Sequence, residues 1–135
     1  MALFIDTGIF VAVRNKSDKH HMIAKKILID AINGKHGKIF TSDYVFDEAI
    51  ILATVRVKRH ELIRDIGEYI LGFPNLNFLF TSKDVFQESW KIHERYSDKS
   101  LSFTDYTIIA WCQKLGIKNI ASVDGHFDGI LTNVN

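Results

Sequence analysis

The apolar positions of this 135-residue chain form short continuous runs separated by stretches of helical spacing. Residues 2–5 (Ala-Leu-Phe-Ile) run without a polar break and stop at Asp6, Thr7 and Gly8, which predicts a strand buried on both faces. A short helical pattern covers Ile9 to Val13, followed by a polar loop around Asn15 to Asp18. Ile23, Ile27 and Ile32 recur at helical spacing up to Asn33-Gly34, a common C-terminal stop. Ile39 to Thr41 reads as a second strand, and Ser42 is placed to cap a long helix over 43–58. A further helix over 60–72 ends at Gly72 and Pro74, and Leu76 to Phe80 reads as a third strand. Thr81 to Asp84 reads as a capping box opening a helix to about Tyr96. After a polar loop (97–100), Thr104 to Leu115 forms a helix stopped by Gly116. Asn119 to Val123 is a fourth strand, and Ile130 to Val134 a short last one. Strands alternating with helices predict an α/β fold in one domain, residues 1–135, with helices on the faces of a mostly parallel sheet of four to five short strands.

Composition narrows the class. Hydrophobic residues make up 47% and charged residues 24%, with ten Phe, which excludes a disordered tail. The single cysteine, Cys112, leaves neither an internal disulfide nor a Cys-based zinc site, so a reducing compartment is the default. No run is apolar enough to span a bilayer. The start, Met-Ala-Leu-Phe-Ile-Asp, lacks a basic n-region. A cytoplasmic protein is expected.

Four acids break apolar patterns. Asp6 and Asp124 each directly follow a buried-type strand, where ligands of open parallel sheets bind; the alternative is a plain turn or cap acid. Glu48 shares a helical stripe with Val45, Leu52 and Val55, so it lies on the core side or at its margin and needs a cation, a hydrogen bond or a metal. Asp105 lines up with Ile108, Ile109 and Cys112, but Ser102-Phe103-Thr104-Asp105 also fits a capping box. Asp128, in the loop after the fourth strand, is a fifth candidate or a surface acid. Two carboxylates about 4 Å apart repel by roughly 4 kcal/mol at an effective dielectric near 20, and no Lys or Arg adjoins these motifs. An all-oxygen set of this kind suits Mg²⁺ or Mn²⁺, one ion or two, and hydrolysis of a phosphodiester. Setting aside these five acids leaves 17 basic against 11 acidic residues, a balance of +6. Basic residues cluster at Arg14, Lys16, Lys19, Lys25 and Lys26, and again at Arg56, Lys58, Arg59 and Arg64. That surround suits nucleic acid, although any single Lys reads equally as part of a solvated face.

Asp6-Thr7-Gly8 matches the aspartic-protease tripeptide, but those enzymes are all-β and need two such aspartates. A phosphatase with a strand-end Asp nucleophile would want a second Asp where Gly8 stands. No nucleophile–base pair of the Ser-His or Cys-His type is visible. The histidines give no spaced metal motif; His126 is placed to approach substrate without being needed as a ligand. Trp90 and Trp111 sit within apolar helical patterns, so both read as core residues. Apolar residues fall on more than one face over 43–73 (Phe46, Ile50, Ile51, Leu52, Val55, Val57, Leu62, Ile66, Ile70), which predicts packing on another copy or an inhibitor.

The chain resembles the PIN-domain ribonucleases, especially the small toxins of VapBC-type toxin–antitoxin modules. Phe4-Ile5-Asp6-Thr7 is similar to the family's opening motif, and Phe40 to Glu48 to its second strand and helix. Leu101 to Asp105 is similar to the third motif, and Ser122 to Phe127 to the fourth, with Ser122 where Thr is more usual. The resemblance implies a PIN-like three-layer α/β/α domain and a metal-dependent endoribonuclease. Asp6, Glu48, Asp105 and Asp124 would be its catalytic and metal-binding acids, with Asp128 off the shared pattern. Thr7, Thr104 and Ser122 are the candidate substrate-contacting hydroxyls. A homodimer inhibited by a VapB-type antitoxin is also implied. The alternative is a PIN-like domain that processes RNA, or binds RNA or protein without cutting; the loss of an acid would mark the non-cutting form, and all four are present.

Overall fold

The computed structural model of the protein describes residues 1–56 and 58–135. Its strands are β1 (Ala2–Ile5), β2 (Lys38–Ser42), β3 (Leu76–Leu79), β4 (Asn119–Ala121) and β5 (Thr132–Asn133). All pair in parallel in the order β3-β2-β1-β4-β5. Leu3, Phe4 and Ile5 are fully buried, as a central strand of a parallel sheet requires. Phe4 stands in register with Phe40 on one side and Ile120 on the other.

The helices are α1 (Thr7–Arg14), α2 (His21–Ile32), α3 (Asp43–Arg56), α4 (His60–Leu71), α5 (Lys83–Arg95) and α6 (Phe103–Leu115). Crossovers from β1 to β2 to β3 step in one direction, and the next returns past β1 to β4. Right-handed crossovers then put α1–α4 on one face and α5–α6 on the other. Contacts agree, since α1 packs with α2, α3 and α4, and α5 with α6. The domain is the expected three-layer α/β/α. Its strand order reverses between β1 and β4, and the carboxyl ends of those two strands face the crevice where ligands of open α/β sheets bind.

Element ends differ from the sequence pattern where local chemistry intervenes. The α1 helix begins at Thr7 rather than Ile9, because the Asp6 side chain accepts the Thr7 N–H at 2.7 Å and caps it. At α5, Ser82 caps alone through Val85 N–H, while the Thr81 hydroxyl donates to Asp43, so the expected box is a single cap. β4 stops at Ala121 because the Ser122 N–H turns to the Asn133 side chain. β3 stops at Leu79, leaving Phe80 exposed. Trp111 is core, but Trp90 is 60% exposed on α5, contrary to its helical pattern. Within 43–73, Ile66 and Ile70 are buried and Ile51 and Val55 exposed; Val57 lies outside the described residues. No helix among the described residues is long and apolar enough to cross a membrane.

Candidate active site

Each of the four acids is delivered by an element whose end the sequence determines. Asp6 closes β1 and caps α1. Glu48 lies in the second turn of α3, whose start is fixed by Ser42 Oγ accepting from Val45 N–H. Asp105 opens α6 as the reciprocal partner of Ser102. Its N–H donates to Ser102 Oγ, and the Ser102 N–H donates to Asp105 Oδ2, both at 3.1 Å. Asp124 follows β4 on the adjoining loop, where its Oδ1 accepts from the His126 N–H.

These four converge. The buried Ser122 hydroxyl lies 3.2 Å from Asp6 Oδ2 and 3.2 Å from Asp124 Oδ1, bridging the ends of β1 and β4. Ser102 Oγ reaches Glu48 Oε2 at 3.5 Å, tying α6 to α3. Burial first, then the charges of Asp105, Asp124 and Glu48, push Asp6 up to about 7, against the Thr7 N–H that lowers it. Burial likewise raises Asp105, opposed by the Ser102 N–H and by His126. Glu48 is raised by burial, with the Thr7 hydroxyl favouring its charge and Asp105 opposing it. Among the described residues no Lys or Arg pairs with any of the four, so the salt-bridge alternative for Glu48 is absent there.

The candidate substrate-contacting hydroxyls lie in the same place. Thr7 is 3% exposed and its Oγ1 makes no hydrogen bond, although it stands close enough to favour the Glu48 carboxylate. A buried orphan hydroxyl is costly unless something else satisfies it. Thr104, in the first turn of α6, also favours the Glu48 charge. Asp128 does not join them: it is exposed, beside Gly125, and makes none of the hydrogen bonds that link the others.

Sequence reasoning undervalued His126. Its Nδ1 lies 3.1 Å from Asp105 Oδ2 and 3.5 Å from Asp124 Oδ1, the one basic side chain at the acids among the described residues. Its place two residues after Asp124, on a turn, was the available signal. Gly8 is a second such residue. A Cβ there would stand 2.4 Å from Val123 Cγ2, so the start of α1 approaches the Asp124 loop only because position 8 has no side chain. The same crowding leaves no room for the second aspartate that a phosphatase would carry.

Four acids with buried hydroxyls, and among the described residues no paired Lys or Arg, form a carboxylate-rich site at the crevice of a three-layer parallel fold, whose oxygen donors are of the type a hard divalent cation prefers. The PIN domain matches residues 3–130, and the chain belongs to that family. Its relatives place it with the VapC-type members. It is 31% identical over 131 residues to a VapC ribonuclease of Archaeoglobus fulgidus, covering 94% of this chain and 80% of the relative. It is 25% identical over 125 residues to the 23S rRNA-specific endonuclease VapC20 of Mycobacterium tuberculosis, covering 93% and 91%. The crystal structure of VapC20, a toxin that cleaves the sarcin–ricin loop, superposes with a TM-score of 0.82 at 26% identity over 94% of this chain and 93% of that one. A toxin–antitoxin complex from Klebsiella pneumoniae shares the fold, with a TM-score of 0.66 at 22% identity over 100% and 97% of the two chains.

Proposed function

We propose that the protein is an Mg²⁺- or Mn²⁺-dependent endoribonuclease, the toxin of a toxin–antitoxin module. The observation that carries this reading is the meeting of Asp6, Glu48, Asp105 and Asp124 with no paired Lys or Arg among the described residues. The ribonuclease activity of the similar VapC proteins supports the substrate class. The donor set fits a hard cation: every candidate ligand is oxygen, the buried Thr7 hydroxyl has no partner beyond its approach to Glu48, and the mutual repulsion of the acids calls for positive charge. Among the described residues no group of three or more His, Cys, Asp or Glu side chains is arranged to hold a metal ion, so the reading calls for one or two carboxylates with waters and substrate phosphate, as Mg²⁺ normally takes. A cation held by these acids would polarise the phosphoryl oxygen and acidify a water.

The chain's own residues supply the rest. Ser122 holds Asp6 and Asp124 in one orientation, and Ser102 fixes Asp105 while reaching Glu48. Thr104, beside Glu48 at the start of α6, is the hydroxyl assigned to the scissile phosphate, while Thr7 Oγ1 is buried beside the same carboxylate. Hydrolysis proceeds without a covalent enzyme intermediate. The partners are RNA, a second copy of the chain and an antitoxin in the active-site groove; toxin–antitoxin complexes of this fold support the last. The test is cleavage of single-stranded RNA and of a sarcin–ricin hairpin with Mg²⁺ or Mn²⁺ and with chelator. Cleavage is expected only with metal, and undiminished cutting in excess chelator overturns the reading.

A further inference from the structure

The four acids come from both helical layers: α3, on one face of the sheet, carries Glu48, and α6, on the other, is opened by Asp105. Like charges on the two helices push them apart, and the direct tie between them is long, Ser102 Oγ to Glu48 Oε2 at 3.5 Å. A second tie avoids the acids altogether. Strands β2 and β3 end in register, with Ser42 beside Leu79, so Asp43, the first residue of α3, meets the residues that follow β3. The Thr81 hydroxyl donates to Asp43 Oδ1 at 2.7 Å and the Thr81 N–H to Oδ2 at 3.0 Å. Oδ1 also accepts the Tyr44 N–H at 2.9 Å, which binds the carboxylate into the first turn of α3. Trp111, on α6, completes the path from the other layer, its indole N–H donating to the same Thr81 hydroxyl at 3.2 Å. The ring is 7% exposed, and a buried indole N–H needs such an acceptor. The hydroxyl thus donates toward α3 and accepts from α6, which fixes its proton and uses it in both directions.

We propose, resting on the nuclease reading above, that Asp43, Thr81 and Trp111 are positioning residues whose hydrogen-bond chain sets the spacing of α3 and α6, and with it the separation of Glu48 and Asp105. None of the three bonds to the four acids, so the chain acts through the helices and not on the reacting atoms. Thr81 is its middle link: without the hydroxyl, α6 loses its hold on α3 while both helices keep their own caps. Two links of one chain depend on each other, so breaking either should have the effect of breaking both.

The experiment compares the whole protein with Thr81→Val, which removes the hydroxyl and keeps the shape, and Trp111→Phe, which removes the indole N–H and keeps a ring. Thr81→Ser, which retains the hydroxyl, and the Thr81→Val, Trp111→Phe double variant complete the set. Each is assayed for cleavage of single-stranded RNA at saturating Mn²⁺, for Mn²⁺ affinity by electron paramagnetic resonance, and for thermal melting. In both single variants kcat should fall about 10-fold, the lower end of what loss of a partner behind a metal ligand costs, with KM nearly unchanged and Mn²⁺ bound more weakly. The double variant should be no worse than either single one, and Thr81→Ser should restore the parental values. Parental kcat and Mn²⁺ affinity in Thr81→Val overturn the inference and leave the proposed nuclease standing, even if that variant melts lower, since the chain then serves stability alone. Losses that multiply in the double variant overturn it too, because the two links would act separately. Should Trp111→Phe fail to fold, Thr81→Val against Thr81→Ser decides. A parent that binds Mn²⁺ without cutting RNA counts against the nuclease reading, while the Mn²⁺ affinities of the variants still decide the chain. A parent that neither binds nor cuts overturns both.

Discussion

Asp105 performs two tasks that sequence reasoning set against each other. It completes the capping box of α6, and it stands among the four acids. Its substitution therefore separates the tasks. Asn retains an oxygen that can accept the Ser102 N–H, so Asp105→Asn should shift stability by no more than about 1 kcal/mol. The same change also removes one of the charges that press on Asp6. Cleavage should fall by more than the roughly 10–100-fold that loss of an outer-shell partner costs. Thermal melting without metal, paired with an RNA cleavage assay, checks both. A variant that still cuts at the parental rate would leave only the cap. Asp6 makes a prediction about pH. Its folded pKa, pushed up to about 7, lies above the ordinary value of 3.8, so between those values the folded chain binds more protons than the unfolded one. Stability of the metal-free protein should therefore fall as pH rises through that window. Asp6→Asn, which keeps an acceptor for the Thr7 N–H, should melt above the parent at pH 8 and lose that advantage near pH 4. Equal melting of the two proteins at pH 8 would count against a burial-driven shift.

At the level of elements, the packing of α1 against the Asp124 loop depends on Gly8. Gly8→Ala places a methyl group into Val123, and overpacking of this kind costs about 1–3 kcal/mol. Because Val123 lies between Ser122 and Asp124, the variant should lose cleavage while remaining folded, measured by melting and turnover together. Full activity would mean that the loop yields without moving Asp124. Much of the element pattern was legible because each strand is a buried run ended by a polar turn: β1 at Asp6, and the 119–123 run at Asp124. Helix ends with backbone logic were legible too, such as Ser102 with Asp105, and Gly116 at φ 69°. The rest depended on tertiary partners. Thr81 leaves the α5 cap to Ser82 because Asp43, 38 residues earlier, takes its hydroxyl. Trp90 satisfies a helical pattern yet lies outside the core, stacked on His93. His126 reads in the sequence only as a residue that approaches substrate, because the turn that brings its ring to Asp105, 21 positions away, is a tertiary feature.

For the whole molecule, α3 leaves Ile51 and Val55 exposed while the neighbouring Ile66 and Ile70 of α4 are buried, so the apolar excess over 43–73 is only partly absorbed within one copy. Sedimentation at micromolar concentration should show a dimer, and Ile51→Glu with Val55→Glu should shift it toward monomer if this face is the contact. Charge sets a further expectation. Three of the five basic residues that cluster early in the sequence, Arg14, Lys16 and Lys25, line a groove of about 330 Å³ with Leu28, Ile29 and Tyr69. Arg14 is committed there, since its guanidinium donates to Asp65 and lies over the Tyr69 ring. Lys16 and Lys25 are exposed, and neither donates to a carboxylate among the described residues, so they are the cations free to meet phosphate. A single-stranded backbone that contacts them releases counterions, and each such contact contributes about 0.7 to the slope of log affinity against log salt. The KM for RNA should therefore rise with salt in the parent. Lys16→Ala with Lys25→Ala should flatten that slope by about 1.4 if both lysines meet phosphate, with kcat nearly unchanged because neither touches the acids. An unaltered slope would assign both lysines to the solvated face and move the RNA path elsewhere on the surface.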